Sequence, residues 1–286
     1  MVQQSKRAAE GVRQTAHRSA RQAQPWLIWF GRCGYAAEGI VYALVGVLAV
    51  KVALGHGGET TDNKGALVQI VQAPFGRLLL ILVALGITGF ACWRFLQAVL
   101  DTDNKGAHAR GIVQRLAYAG IGIVHIGLAL SALRLLRTGN AGASSSTSAQ
   151  NWTAELLSKP YGQWLVALAG LIVIGVGSFQ FYRSYTARFR EELELPAMSA
   201  TADRWVTWLG RAGYAAQGTV FWIIGLFLGY AGLRANPGEA RGLDGALATL
   251  AQQPFGPWLL SLVAVGLVAY GLYLCAQARY RRMVIT

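Results

Sequence analysis

The stretch Arg32-Cys-Gly-Tyr35-Ala-Ala-Glu-Gly39 decides the fold of this chain, because its pattern R-x-x-Y-x-x-x-G returns twice further along. The pattern is found again at residues 115–122 and at residues 211–218. A second pattern, Pro-aromatic-Gly, follows each copy, at residues 74–76, 160–162 and 254–256. Two patterns that occur three times in the same order indicate an internal repeat.

Each repeat contains two apolar blocks that are about as long as a bilayer span, roughly 20 residues. The six blocks cover residues 34–54, 77–98, 115–136, 163–183, 213–233 and 257–277. Backbone groups in lipid must satisfy their hydrogen bonds within the segment, so each block is predicted to be a helix. The predicted fold is an all-α membrane protein with six transmembrane helices, built as three parallel two-helix repeats around a pseudo-threefold axis.

The chain divides into a basic polar tail and the three repeats. The tail covers residues 1–25, and the repeats cover residues 26–105, 106–195 and 196–286, the last ending in a short basic tail. The first tail lacks the apolar core of a secretory signal. It is interpreted as a disordered segment or one that lies on anionic lipid of the cytoplasmic leaflet, with an organellar transit peptide as the alternative.

Composition and charge support a membrane protein and give its orientation. The chain is 54% hydrophobic and 14% charged, whereas soluble proteins carry about 25% charged residues. The net charge of +13 would suggest nucleic-acid binding in a soluble chain, but the basic residues lie on alternate loops, so we expect no nucleic-acid partner. Of 26 Lys and Arg residues, 18 lie on the side of the two termini. The positive-inside rule therefore predicts that both termini are cytoplasmic.

A short amphipathic piece precedes each proline of the repeat. In the first unit its apolar positions are Leu67, Ile70 and Val71, and in the third they are Leu247 and Leu250. Such a piece is too short to span, so we expect it to lie along the outer interface or to dip slightly into it. The proline is then expected at the start of the second span. The loops over residues 55–63, 139–150 and 235–242 are expected to be solvated.

The repeated motifs resemble those of the bacterial family known only as domain of unknown function 1206. The resemblance extends over about residues 26 to 282 and implies a bacterial cytoplasmic-membrane protein with three copies of the domain. It implies no activity. The middle copy departs most from the others, because its outer loop is rich in serine and Ile121 replaces the polar residue found as Glu38 and Gln217.

One face of the first helix of each repeat carries the candidate residues of an axial layer. Residues spaced three and four apart share a helix face, so the motif predicts a layer of arginines and, about 5 Å deeper, a layer of tyrosines. The two layers are formed by Arg32, Arg115 and Arg211, and by Tyr35, Tyr118 and Tyr214. Helix packing and interfacial anchoring are one interpretation of this face. The other is a polar vestibule that attracts an anion or an anionic headgroup.

The remaining repeated residues are of types that serve packing and turns. They are Gly39, Gly122, Gly218, Pro74, Gly76, Pro160, Gly162, Pro254 and Gly256.

Glu38 is the strongest single pointer to a function. A carboxylate at membrane depth is costly and is treated as a functional hypothesis. Its expected partners are an arginine or tyrosine of a neighbouring unit, or Gln217, and the alternative is an interhelical hydrogen bond that fixes packing. His125 has no second histidine at metal or haem spacing, so it is interpreted as a core histidine, with haem or quinone binding as the remote alternative.

The sequence shows no nucleophile–base pair, phosphate loop or metal-binding motif, so no enzymatic activity and no cofactor is expected. The three cysteines, Cys33, Cys92 and Cys275, have neither paired spacing nor an even count. The sequence is most consistent with a non-catalytic membrane scaffold or accessory subunit that packs against lipid or another membrane protein. The alternative is a small channel or transporter with its path between the three repeats.

Overall fold

The computed structural model of the protein describes residues 24–56, 59–101, 106, 108–142 and 144–283. Residues 1–23 of the predicted basic tail lie outside this part of the chain. Nine α-helices form within it: α1 (Gln24–Ala53), α2 (Asn63–Gln72), α3 (Gly76–Leu100), α4 (Ala109–Thr138), α5 (Ser145–Leu157), α6 (Gly162–Thr186), α7 (Ala200–Leu233), α8 (Leu243–Ala251) and α9 (Gly256–Tyr280).

Six of these helices, α1, α3, α4, α6, α7 and α9, are long and apolar enough to cross a membrane. They confirm the six predicted spans, and each repeat forms one unit with a first span, a short helix and a second span. We call the end of the spans that carries α2, α5 and α8 the short-helix face, and the opposite end the basic face. Exposed tryptophans occur near both ends, as is typical of the aromatic belts of membrane proteins. They are Trp26, Trp29, Trp205 and Trp208 near the basic face, and Trp152, Trp164 and Trp258 near the other.

The Pro-aromatic-Gly motif makes the turn between each short helix and the second span. The second span begins at the glycine and not at the proline, which lies in the turn itself. The aromatic residue before the glycine takes a left-handed conformation, with φ of 58° at Phe75, 61° at Tyr161 and 60° at Phe255. A Cβ on the first of the glycines, Gly76, would collide with the carbonyl oxygen of Val71. Only glycine therefore allows the short helix to fold back so closely onto the second span.

The glycine that ends each R-x-x-Y-x-x-x-G copy marks a contact between units. A Cβ on Gly39 of α1 would lie 2.6 Å from the Gly271 carbonyl oxygen of α9. A Cβ on Gly218 of α7 would lie 3.0 Å from the Gly177 carbonyl oxygen of α6, and Gly122 of α4 approaches a phenylalanine ring of α3. Each first span thus packs on the second span of another unit, and this contact is made three times around the molecule.

The contacts within the units are not equivalent. Helix α1 packs on α3, and α7 packs on α9, but α4 and α6 of the middle unit make at most a marginal contact. The spans therefore follow each other in the order α6, α7, α9, α1, α3, α4, which is a ring that is open between α4 and α6. The pseudo-threefold arrangement holds for the contacts between units and is broken inside the middle one.

The sequence explains why the middle unit is open. In the first unit, Cβ atoms on Gly34 and Gly86 would lie 2.5 Å from the Phe90 backbone and 2.4 Å from the Ala37 side chain. Counted from the tyrosine and from the proline of each repeat, the equivalents in the third unit are Gly213 and Gly266, with the same close approaches. In the middle unit the equivalents are Ala117 and Ile172. The added side-chain atoms prevent the close approach that helix packing in lipid requires.

The short helices pack deeper than the sequence predicts. Leu67 of α2 and Leu247 of α8 are fully buried in the core between the spans, and do not lie on an outer interface. Their apolar faces turn inward and complete the hydrophobic core that the spans form. In α5 of the middle unit, by contrast, only Thr153 is buried.

The connection between α6 and α7 closes the basic face of the third unit. Glu192 lies in a 3₁₀ turn of this connection and forms ion pairs with Arg183 of α6 at 2.8 Å and with Arg281, after α9, at 2.6 Å. Charged pairs at these distances tie α6 and the end of α9 to one loop.

Candidate functional site

Glu38 of α1 and His125 of α4, which are far apart in sequence, form a pair in the structure. The carboxylate oxygen Oε1 lies 2.9 Å from Nε2 of the imidazole, and both residues are buried, with 3% and 8% exposure. The partner of Glu38 is therefore a histidine of the middle unit, and His125 is not an isolated core residue. Glu38 lies in the interior of a span that runs from Ile28 to Ala53.

The contacts of His125 determine how the pair holds its proton. Nδ1 lies 2.7 Å from the carbonyl oxygen of Ile121, and a carbonyl only accepts, so Nδ1 carries a hydrogen. A second proton must then lie between Nε2 and Oε1, because two bare acceptors would repel each other at 2.9 Å. Either the imidazole holds this proton, as imidazolium beside carboxylate, or the carboxyl holds it beside a neutral imidazole. The pair has no net charge in either protonation arrangement, which reduces its cost at membrane depth.

A cation and three aromatic rings lie on the basic-face side of this pair. The Phe90 ring is 4.6 Å from the His125 ring, between centroids. The Arg94 guanidinium lies 4.6 Å from the Phe90 centroid and 5.4 Å from those of Tyr35 and Tyr118. Two of the three tyrosines of the predicted layer thus share one arginine by cation–π contact. That arginine was not among the candidates, although its position inside the apolar segment of α3 was a signal that could have identified it.

The predicted arginine layer does not form one environment. Arg115 donates to the carbonyl oxygens of Ala98 at 2.7 Å and Val99 at 3.0 Å, at the C-terminus of α3. Arg211 is exposed, and Arg32 is half-buried. The third tyrosine, Tyr214, contacts a different arginine. The Arg183 guanidinium lies 4.4 Å from the centroid of its ring.

Gln217, equivalent to Glu38 in the third unit, is also buried and paired. Its Oε1 accepts a hydrogen bond of 2.7 Å from Nε2 of Gln180 on α6. Because this oxygen is occupied, the amide nitrogen of Gln217 is the atom that faces the hydroxyl of Tyr42. Asn63 faces the same hydroxyl. Tyr42, Asn63 and Gln217 therefore bring three uncharged polar groups together from α1, α2 and α7.

These three residues line a cavity of about 320 Å³ inside the ring. Its apolar wall comes mainly from α4, α7 and α9, with Val124, Leu128, Val220, Phe221, Ile224 and Leu267. At the short-helix end the wall also includes Asp62, Lys64 and Ser145. Val124 is 67% exposed, so the cavity opens sideways, between α4 and α7, toward the lipid. It has the size of a small ligand site, because such sites usually measure about 300–1,000 Å³.

The three units meet at the short-helix end of this cavity through side-chain hydrogen bonds. Asp62 of the first unit accepts from the backbone N–H of Gly65 and of Ser145. Asp244 of the third unit accepts from the hydroxyls of Ser145 and Ser146 at 2.7 and 2.8 Å, and from the Ser146 N–H at 3.0 Å. Two carboxylates thus bind the positive N-terminal end of α5. The serine-rich stretch, expected to be a solvated loop, is this junction.

The hydrogen bonds also set the protonation of Asp244. Partial burial acts to raise the pKa of this carboxyl, but the hydrogen bonds from Ser145 and Ser146 outweigh burial and hold the pKa below its ordinary value. Asp244 is therefore ionised at neutral pH, which strengthens its hydrogen bonds to the middle unit.

Chemically, the site combines a buried pair that shares one proton, a nearby arginine and a cavity that has an apolar wall and six polar residues. The pair also links α1 of the first unit to α4 of the middle unit. The arrangement has the properties of a ligand-binding or helix-positioning centre.

Comparison with known proteins places the chain beside others of undescribed activity. A family model described as Domain of Unknown Function (DUF1206) matches residues 33–101, 116–187 and 212–281. "Uncharacterized protein YxxB" of Bacillus subtilis (strain 168) is 38% identical over 263 residues, which cover 92% of this chain and 94% of the relative. No solved structure matches the chain significantly.

Proposed function

The chain belongs to the family described as Domain of Unknown Function (DUF1206), and on this premise we propose that it is a non-catalytic membrane scaffold or accessory subunit. We propose that its partner is a transmembrane helix of another membrane protein, and that this helix docks at the open side of the ring. The observation that carries the proposal is the gap between α4 and α6 in the middle unit.

Glycines with open space where a Cβ would stand support this proposal. In the six described spans, a Cβ would meet open space on Gly120 and Gly127 of α4, Gly175 of α6 and Gly229 of α7. The last of these still has its backbone against Gly170 of α6, so the unpartnered glycines belong to the middle unit. Small residues allow close helix contact in lipid, and elsewhere in this protein they serve such contacts.

Site-directed photocrosslinking tests the docking. A photoreactive residue at Ile123 on α4, which is 64% exposed, should form a discrete adduct with one membrane protein. The matched control is Leu262 on α9, which is 74% exposed and lies outside the gap. Gly127→Leu should abolish the Ile123 adduct and leave the folded protein intact. Equal adducts from both positions, or adducts with lipid alone, would contradict the proposal.

A transport path between the units is the second candidate, favoured by the cavity and the Glu38–His125 pair. The cavity meets the junction of the three units through Asp62 and Ser145, so conduction would require that junction to open. Proteoliposomes with a pH-sensitive dye test the simplest case, proton movement. Wild-type flux that Glu38→Gln removes would support this candidate, and flux equal to that of empty vesicles would exclude proton transport.

For the cellular setting we propose a bacterial cytoplasmic membrane with both termini in the cytoplasm, on the side of anionic lipid headgroups. The supporting observation is that, counted along the sequence, 18 of the 26 Lys and Arg residues belong to the two ends of the chain and to the connections that follow the second and fourth spans. Such enrichment is typical of cytoplasmic segments. In a chain without its native cysteines, Ser158→Cys should react with an impermeant maleimide on intact cells. Arg282→Cys should react only after permeabilisation, and the reverse pattern would contradict the orientation.

A further inference from the structure

We propose that the cavity inside the ring binds the head of a neutral, hydroxyl-bearing single-chain amphiphile, such as a long-chain alcohol, whose chain leaves between α4 and α7. This inference goes beyond the proposed docking function and does not depend on it. It rests on the polar groups at the wall, the apolar remainder and the direction of the opening.

The polar groups select an uncharged head. Oδ1 of Asn63 is buried without a hydrogen-bond partner among the described residues. Gln217 has its carbonyl oxygen occupied by Gln180, so its amide nitrogen remains a donor beside Tyr42. A hydroxyl both donates and accepts, so one hydroxyl can satisfy Asn63 and bond to a neighbouring donor. An unsatisfied buried acceptor costs about 1–3 kcal/mol. A small rotation of the Asn63 amide would bring its oxygen to a hydroxyl in the cavity and relieve that cost.

The charges near this wall do not favour an ionic head. Asp62 and Lys64 are the two charged residues of the wall, and their formal charges sum to zero. Lys64 donates to the Ser148 hydroxyl at 3.4 Å. Asp62 is also committed to the N–H groups of Gly65 and Ser145. A carboxylate or ammonium head would lose its hydration without gaining a dedicated counter-ion.

The rest of the wall accommodates an alkyl chain. Leu128, Val220, Phe221 and Ile224 form its apolar surface. Beyond them the exposed Val124 marks the opening toward lipid. An apolar chain that follows this path remains in an apolar environment throughout, so an amphiphile reaches the site from the bilayer without crossing water.

Photolabelling with a long-chain alcohol tests the site directly. The probe is hexadecanol with a diazirine on its chain, applied to the full-length protein in lipid nanodiscs, with palmitic acid carrying the same diazirine as the charged comparison. The alcohol should label the α4 and α7 peptides that contain Val124 and Ile224, and excess unlabelled hexadecanol should reduce that label at least fivefold. The acid should label these peptides at least fivefold less.

Two variants with matched controls separate binding from folding. Asn63→Leu and Ile224→Trp should each lower the α4 and α7 label at least fivefold. Asn151→Leu on α5 and Leu262→Trp on α9, which are both exposed, should leave it unchanged.

Label that is not competed by hexadecanol, equal labelling by the acid, or full labelling of Asn63→Leu would overturn the proposal. The competition experiment needs no variant, so misfolding of one cannot obscure the result. Because docking is measured at Ile123 by protein adducts, failure of the alcohol site leaves that proposal separately testable.

Discussion

The middle unit and the two units that flank it in sequence share their motifs but not their packing. In the first and third units the two spans pack on each other, whereas in the middle unit they separate and leave the ring open. The glycine of the R-x-x-Y-x-x-x-G motif is kept in all three units because it serves the contact between units. The glycines of the contact within a unit, Gly34 and Gly86 in the first, are replaced by Ala117 and Ile172 in the middle.

This difference shows that one repeat sequence encodes two kinds of interface that vary independently. The contacts between units preserve the ring, while loss of the contact within the middle unit creates the lateral opening. The Glu38–His125 pair, the cavity and the serine junction all include residues of the middle unit. Specialisation is therefore concentrated where the repeat departs from its own pattern.

The largest expected effect comes from changing the Glu38–His125 pair toward the pattern of the third unit, which has Gln217 and Phe221. His125→Phe alone should destabilise the protein by about 3–5 kcal/mol, because it leaves a buried carboxylate without its partner. The double variant Glu38→Gln/His125→Phe should recover most of that loss. Unfolding free energies in mixed detergent–SDS micelles measure both, and additive losses would show that the two residues are not coupled.

The next effect converts the packing of the first unit into that of the middle one. Gly86→Ile introduces the residue found at 172, and we expect a loss of about 3 kcal/mol because its Cβ alone would lie 2.4 Å from Ala37. Gly127→Ile on α4 is the matched control and should change stability by less than about 0.5 kcal/mol, since its side faces open space. Similar losses of stability from both variants would contradict the conclusion that Gly86 lies in a close helix contact and that Gly127 does not.

A smaller loss of stability is expected from the hydrogen bonds that join the middle unit to the third unit at the short-helix face. Asp244→Asn should cost about 1.5–3 kcal/mol at neutral pH, the range of hydrogen bonds to a charged group. Because the pKa of Asp244 is lowered in the folded protein, its contribution to folding stability is fully present above about pH 4, the ordinary pKa of aspartate. This contribution is lost as the pH falls through the lowered pKa. The gap in melting temperature between wild type and variant should therefore narrow below pH 4, and a constant gap would contradict the assignment.

The smallest effect compares equivalent arginines of the middle and third units. Arg115→Ala removes two hydrogen bonds to the C-terminal carbonyls of α3 and should cost about 1 kcal/mol. Arg211→Ala, at an exposed position, should change stability by less than about 0.5 kcal/mol. Thermal unfolding in detergent measures both, and equal losses would indicate that the two arginines share one environment after all.

The sequence by itself determined the six spans, the three repeats and the turns, because hydrophobic length and glycine or proline chemistry act locally. It also marked Glu38, since a carboxylate in an apolar segment is conspicuous without any structure. It did not identify Arg94 as part of a site, or the role of Ser145 and Ser146, whose partners lie 83–99 residues away in sequence.

Only the tertiary structure decided that His125 pairs with Glu38, that the ring is open in the middle unit and that a cavity lies within it. Each of these depends on how far apart two helix backbones lie, a distance set by side chains on both helices at once. Ile172 is a common residue for a membrane helix, and its consequence becomes visible only when its equivalents Gly86 and Gly266 are seen in contact with a neighbouring span.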